Sequence, residues 1–382
     1  MNATFLEKLG NTLPPTISSN LLFHNSFTVN NRGDIIVMTD IGILKYSNLR
    51  TNNNNAVELV DIQVVGLENS ETREYTAIEY NIDGNMVLLW SDSCIGIIEI
   101  SNNKILNDNN ESKFVYNFTK VYDRNIDSNN TAPIVKVAFH LLCQQHLVIL
   151  HESNLLQLVD LCTMSIEIIS LARYGSKKFT SFTYGPNIEW LKFSLLLLCT
   201  SGEVFTLCPI IPNGCIVSKE IVSDLWDGID DLNDIGAKNT SISSYCNVVR
   251  SYLFETFGER PMILNQDSLD QRELFIRAGE YEAFHPNDCS SNSKVMAKYN
   301  VYLNGPLVIE KKYSSNEPMF EDETKSIDFY KSNRGTANDI CTIGNNIYGD
   351  IMQQIGSPVI AVSYSSGLVE ILVFQNLQVR LG

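Results

Sequence analysis

A chain of 382 residues with a formal net charge of −16 and a pI near 4.7 repels phosphate, which argues against direct binding to DNA, RNA or an anionic membrane. Hydrophobic residues at 44% and aromatics at 9% suffice for a real core and exclude a largely disordered chain. The length suits two average domains or one large all-β domain.

In chain order, the start, MNATFLEKLGNTLPP, lacks a basic region followed by an apolar one, so no secretory leader is predicted. A recurring unit then follows: a short apolar run, a brief turn, and a second apolar or alternating run. It occurs as DIIVMTDIGILKYS from Asp34, NMVLLWSDSCIGIIEI from Asn85, HLVILHESNLLQLVD from His146 and FSLLLLCTSGEVFTLCP from Phe193. A fifth copy, PVIAVSYSSGLVEILVF, starts at Pro358. β-Branched and aromatic residues fill the arms while Asp, Ser, Asn and Gly occupy the turns, so each copy reads as a β-hairpin.

The first four hairpins are about 50 to 60 residues apart, the length of a four-stranded blade with its loops. Dividing the chain by that spacing predicts a seven-bladed β-propeller, WD40-like, over residues 1–382. Hairpins at the middle of a blade are covered on both faces, which accounts for non-alternating runs such as Leu195–Leu198. Two further blades are expected between the fourth and last hairpins. YNVYLNGPLVIEKKY from Tyr299 supplies one strand pair, and CNVVRSYLF with ELFIRAG supplies the other. The Asn-rich tracts at 52–55, from Asn107 and from Asp123 are predicted as loops.

The same interval carries helix signals, VSDLWDGIDDLNDIG from Val222 and DSLDQRELFIRAGEYEAF from Asp267, so a helical insertion is expected around 220–285. Leu225, Trp226 and Ile229 stand among Asp224, Asp227, Asp230, Asp231 and Asp234. Apolar anchors ringed by carboxylates suit a partner with a basic rim, and these three are the expected protein-binding residues. As a calcium loop the acidic run fails, because from Asp230 the third position is Leu232 and the sixth is Ile235.

Catalytic signatures are missing. The sequence has no G-x-G-x-x-G, Walker A, H-E-x-x-H or G-x-S-x-G string, and the S-x-x-K at Ser291–Lys294 stands without its partner motifs. No enzyme activity and no cofactor are expected. His140, His146 and His151 have no carboxylate at a metal-binding spacing and are read as structural. The nine cysteines form no CxxC pair and sit mostly in apolar runs, Cys199, Cys208 and Cys215 among them. They are read as buried, reduced thiols of an intracellular protein.

One series of residues is more specific. Phe182-Thr183-Tyr184-Gly185-Pro186, Glu189-Trp190, Phe193, Leu198-Cys199, Gly202-Glu203-Val204-Phe205 and Leu207-Cys208-Pro209 resemble the central segment of the nucleoporin 88/82 family. IVKVAFHLLCQQHLVILHESNLLQLVDL from Ile134, NGPL at Asn304 and the last hairpin are similar to the same family, in its order. The resemblance spans about 134–374 and implies an N-terminal β-propeller of a cytoplasmic-face nuclear pore protein. It implies a non-enzymatic scaffold supporting mRNA and protein export. The implied partners are a nucleoporin 98 type C-terminal domain, a nucleoporin 214/159 type tail and FG nucleoporins. Family members continue into a long coiled coil, and this sequence shows no sustained heptads up to Gly382. The alternative is a WD40-like adaptor in another intracellular complex.

Overall fold

The computed structural model describes residues 75–106, 112–124, 132–186, 189–235, 239–261, 275–279, 302–307, 309–314, 336–343, 359–366 and 368–374, and short strands outside these ranges. The chain divides into two compact units, Met1–Phe139 and His140–Gly382.

In the first unit, β1 (Phe27–Val29), β2 (Ile35–Thr39) and β3 (Gly42–Ser47) are followed by a two-residue ladder of β4 (Arg50–Thr51) with β5 (Val57–Glu58), then β6 (Asp61–Val65). They make a four-stranded sheet of order β1-β2-β3-β6. A second sheet is built by β7 (Ala77–Tyr80), β8 (Met86–Trp90), β9 (Cys94–Leu106) and β10 (Ser112–Asp123) in plain antiparallel succession. Its first turn is fixed by Asn81, whose Oδ1 accepts from the N–H groups of Asn85 and Met86 at 3.0 and 2.9 Å. Ile36 and Met38 of β2 share a core with Ile78, Tyr80, Val87, Leu89 and Ile98, so the two sheets bury each other's apolar faces. The unit ends with β11 (Ile134–Phe139).

In the second unit, β12 (His146–His151), β13 (Leu155–Asp160) and β14 (Ile166–Ser170) form antiparallel pairs, as do β15 (Phe179–Tyr184), β16 (Leu195–Cys199) and β17 (Val204–Cys208). Every residue of β12, β16 and β17 is buried. That is why their sequences run on without alternation: both faces are covered, and each buried Leu contributes about 2 kcal/mol. After β18 (Ile216–Ser218) come helices α1 (Lys219–Ile235) and α2 (Thr240–Phe257), then β19 (Phe275–Arg277), which pairs with β18. β20 (Val295–Met296) joins the outer edge of β14 in parallel, and β21 (Tyr302–Asn304) joins β17 antiparallel. The final sheet has order β22-β25-β24-β23, from β22 (Ile309–Ser314), β23 (Ala337–Ile343), β24 (Val359–Tyr364) and β25 (Val369–Phe374). Leu196, Leu198 and Val204 pack against Ala337, Ile340, Ile360 and Val362 of that sheet. The β16–β17 turn comes so close that a Cβ on Gly202, whose φ is +84°, would stand 2.7 Å from the Tyr364 hydroxyl, so glycine is required there.

All five predicted hairpins are present, as β2–β3, β8–β9, β12–β13, β16–β17 and β24–β25. Seven blades are not. Among the described residues four sheets have the four strands of a blade, one has five, and two ladders have two. The division by spacing failed because Lys219–Ile235 and Thr240–Phe257 are helices and belong to no blade. CNVVRSYLF, expected as a strand, lies in α2: Cys246, Val249, Leu253 and Phe257 are buried at the three- and four-residue spacing of a helix face. YNVYLNGPLVIEKKY is not a hairpin either. Its two arms, β21 and β22, belong to different sheets, and at the Gly305-Pro306 break Pro306 has no N–H to continue a ladder.

The helix expected from Asp267 is replaced over Phe275–Arg277 by β19, and residues 262–274 lie outside the described residues. So do the Asn-rich tract at 52–55, residues 107–111 and 125–131, and the S-x-x-K of Ser291–Lys294.

Candidate functional site

α1 and α2 form the helical insertion. Ser218 Oγ accepts from the Ile221 N–H at 3.3 Å at the entry to α1, and Asn239 caps α2 by accepting from the Ser241 N–H at 3.0 Å. Val222, Leu225 and Ile229 face inward from α1 and meet Cys246, Val249, Leu253 and Phe257 of α2 over Trp190, Phe193, Cys208 and Ile211. Leu225 and Ile229 are each 4% exposed. Trp226 is half-buried against the same cluster, with its Nε1 buried and without an acceptor.

Of the expected anchors, Leu225 and Ile229 are therefore core residues, while Trp226 keeps part of its surface. Leu225 and Ile229 are three and four positions from neighbours on the buried stripe, so folding turns them away from any partner. The carboxylate ring is also partly neutralised within the unit. Arg250 Nη2 donates to Asp230 Oδ1 at 2.6 Å, Arg260 Nη1 donates to Asp230 Oδ2 at 3.1 Å, and Arg260 pairs as well with Asp227. Asp224, Asp231 and Asp234 remain exposed. The apolar surface that the hairpin does present is Ile235, 85% exposed, with Val248 and Phe254 of α2.

Beneath this hairpin lies a cluster that the sequence reading passed over. The turn between β11 and β12 carries His140 and Cys143, His146 opens β12, and the turn before β18 carries Asn213 and Cys215. The Cys143 N–H donates to His140 Nδ1 at 3.2 Å, which leaves Nε2–H as the donor to the Ile210 carbonyl at 3.1 Å. His146 Nδ1 lies 3.1 Å from Cys143 Sγ, and its Nε2 lies 3.1 Å from the Asn213 carbonyl oxygen. Asn213 also donates its N–H to Glu167 Oε1 at 2.6 Å. Its side chain occupies the space where a Cβ on Gly279, at φ +82°, would fall.

The electrostatics follow from burial and from these bonds. Burial holds the His140 imidazole down at about 4, against the raising effect of its bond to Ile210. The hydrogen bond from Cys215 holds the Cys143 thiol far below its ordinary value. Burial opposes that shift, and His146 and the Ile216 N–H reinforce it. Burial disfavours the charged form of His146, yet the bond and charge of Cys143 leave its pKa raised. Thiolate and imidazolium therefore stabilise each other. Burial raises Glu167, while Cys199, pushed up to about 11, and Cys208 are held as thiols by burial.

His151 is buried and bonds Gln157 Oε1 through Nε2 at 3.0 Å. Of the three histidines, two thus belong to one cluster and the third does not. The spacing Cys143-x-x-His146 was the signal that could have located it, since a tight turn folds the two side chains together. Among the described residues no group of three or more His, Cys, Asp or Glu is arranged to hold a metal ion, and no helix is long and apolar enough to cross a membrane.

No protein-family profile matches the chain. Over 228 residues it is 23% identical to nuclear pore complex protein NUP88 of Arabidopsis thaliana, a stretch covering 55% of this chain and 26% of the plant protein. The chain thus spans about a quarter of the length of that relative. Among solved structures, a chain of the Chaetomium thermophilum heterotrimeric Nup82 NTD–Nup159 TAIL–Nup145N APD complex superposes with a TM-score of 0.57 at 13% identity, covering 94% of this chain and 70% of that one. A chain of the yeast heterotrimeric Nup82–Nup159–Nup116 complex superposes with a TM-score of 0.55 at 14% identity, covering 94% and 71%. At such identities the structural likeness speaks for the fold, which is an all-β propeller with few helices. The chain is similar, in sequence and in fold, to the N-terminal propeller region of the nucleoporin 88/82 family.

Proposed function

We propose that this chain is a structural nucleoporin whose propeller serves as a docking platform on the cytoplasmic face of the nuclear pore complex. It anchors other nucleoporins and so supports mRNA and protein export. The observation that carries this reading is the agreement of two comparisons: a sequence likeness to NUP88, and a fold likeness over 94% of the chain to structures solved with Nup82 bound to other nucleoporins. The net charge of −16 favours protein partners with basic surfaces over nucleic acid.

The proposed partners are a nucleoporin 98 type C-terminal domain, a nucleoporin 214/159 type tail and FG nucleoporins. Trp226 is the one member of the expected anchor set with surface left for a partner to touch. The test is affinity purification of the endogenously tagged protein at moderate salt, with mass spectrometry of what stays bound. Co-purification of these nucleoporins, with fluorescence at the nuclear rim, is the expected result. A stable complex without nucleoporins would overturn the reading and leave the WD40-like adaptor in its place.

A further inference from the structure

A thiol pair, Cys143 and Cys215, lies buried at the root of the helical hairpin. His146 Nδ1 lies 3.1 Å from Cys143 Sγ, and the Cys215 thiol of the same buried cluster is the group that bears most on that sulfur. His146 is aimed by its second nitrogen, which is tied to the Asn213 carbonyl. Because the Asn213 carbonyl takes the Nε2 proton, Nδ1 faces the sulfur as the base that accepts the Cys143 thiol proton, which leaves a thiolate beside an imidazolium. Cys199 and Cys208, also buried, have no such surroundings and stay protonated.

We propose that Cys143 and Cys215 form a peroxide-responsive dithiol, in which Cys143 is the attacking thiolate, His146 its proton-holding partner and Cys215 the resolving thiol. Cys143 retains 5% exposure and Cys215 none, which fixes the order of events. The Cys143 thiolate attacks one oxygen of hydrogen peroxide and the O–O bond breaks. Cys143 becomes a sulfenic acid, and the departing hydroxide takes the imidazolium proton of His146 to leave as water. Cys215 then attacks the Cys143 sulfur. The S–S bond forms, the S–O bond breaks, and hydroxide leaves with the Cys215 proton as a second water. Two thiols are oxidised by two electrons, and peroxide is reduced to two waters.

Both cysteines lie outside the strand ladders, so a bond between them interrupts no sheet pairing. Cys215 immediately precedes β18 and α1, so the disulfide ties the start of the hairpin to the turn before β12. The inference stands independently of the docking reading.

The experiment exposes the purified, reduced chain to hydrogen peroxide, quenches by alkylation and follows each cysteine by peptide mass spectrometry. A Cys143–Cys215 linked peptide should accumulate about tenfold faster than oxidation of the exposed Cys162 and Cys341, and dithiothreitol should reverse it. In Cys215→Ser the reaction should stop at a Cys143 sulfenic acid trapped by dimedone, and His146→Gln should slow the first step by about tenfold. Should either variant fail to fold, the wild-type measurement decides alone. Oxidation of Cys162 and Cys341 while Cys143 and Cys215 remain fully alkylatable would overturn the proposal.

Discussion

The Ser181 hydroxyl donates a hydrogen bond to Asp339 Oδ1 at 2.5 Å, joining β15 to β23 across 158 residues of sequence. Ser181 is buried, and Asp339 also accepts from the Ile340 N–H at 2.9 Å. A charged acceptor shared by two sheets fixes how they sit side by side, where apolar contacts alone would permit sliding. Ser181→Ala should lower unfolding free energy by about 1 to 2 kcal/mol, read from the urea midpoint at unchanged m-value. An unchanged midpoint would show that the bond contributes nothing net.

The hairpin residues separate core from surface. Leu225→Ala and Ile229→Ala should each destabilise by roughly 2 to 4 kcal/mol, because each empties a site that α2 and the β17 region enclose. Trp226→Phe removes a buried N–H that has no acceptor, so it should stay within about 1 kcal/mol of the parent. Thermal unfolding of the three variants side by side checks the order. A neutral Leu225→Ala would contradict its place in the core.

The ion pairs on the hairpin are a different case. Asp230 is 41% exposed while bonded to Arg250 and Arg260, so water and salt screen both pairs. Asp230→Asn should change stability by less than about 1 kcal/mol, with the difference fading at 1 M salt. A loss that persists at high salt would mean that the network does more than neutralise charge.

His140 should give the protein an acid limb. In the unfolded chain it takes up a proton near 6.5, whereas the folded protein resists protonation down to about 4. The unfolded state therefore binds more protons between those values. Stability contributed by neutral His140 is complete above 6.5 and falls, by up to about 3 kcal/mol, as the pH drops through that window. His146, whose pKa is raised, acts in the opposite sense and loses its contribution only as pH rises. Urea unfolding of the parent and of His140→Gln from pH 4 to 7 should show the slope flattened in the variant. Parallel slopes would remove His140 from the account.

The five hairpins were legible because their signal is local. In β16 and β17 the apolar run, the Ser201-Gly202 turn and the second run lie within about fifteen residues, and nothing distant is needed to pair them. The same locality misled elsewhere. CNVVRSYLF has strand-like composition over nine residues, and only the longer window that includes Phe257 shows the helical stripe. Leu225, Trp226 and Ile229 were seen as apolar residues among acids, which is true of the sequence. Whether that stripe faces solvent or a core depends on α2, which the same window had been assigned to a strand.

By itself the sequence determined the five hairpins, the buried character of the central strands, the acidic charge and the resemblance to the nucleoporin 88/82 family. Tertiary structure alone decided which outer strand closes each sheet, since β20 and β21 return to β14 and β17 from beyond the helical hairpin. It also decided that Cys143, His146 and Cys215 meet. Edge pairing and side-chain clusters depend on backbone groups and charges brought together through space. A one-dimensional pattern records the periodicity of burial and leaves open the partner on the other side.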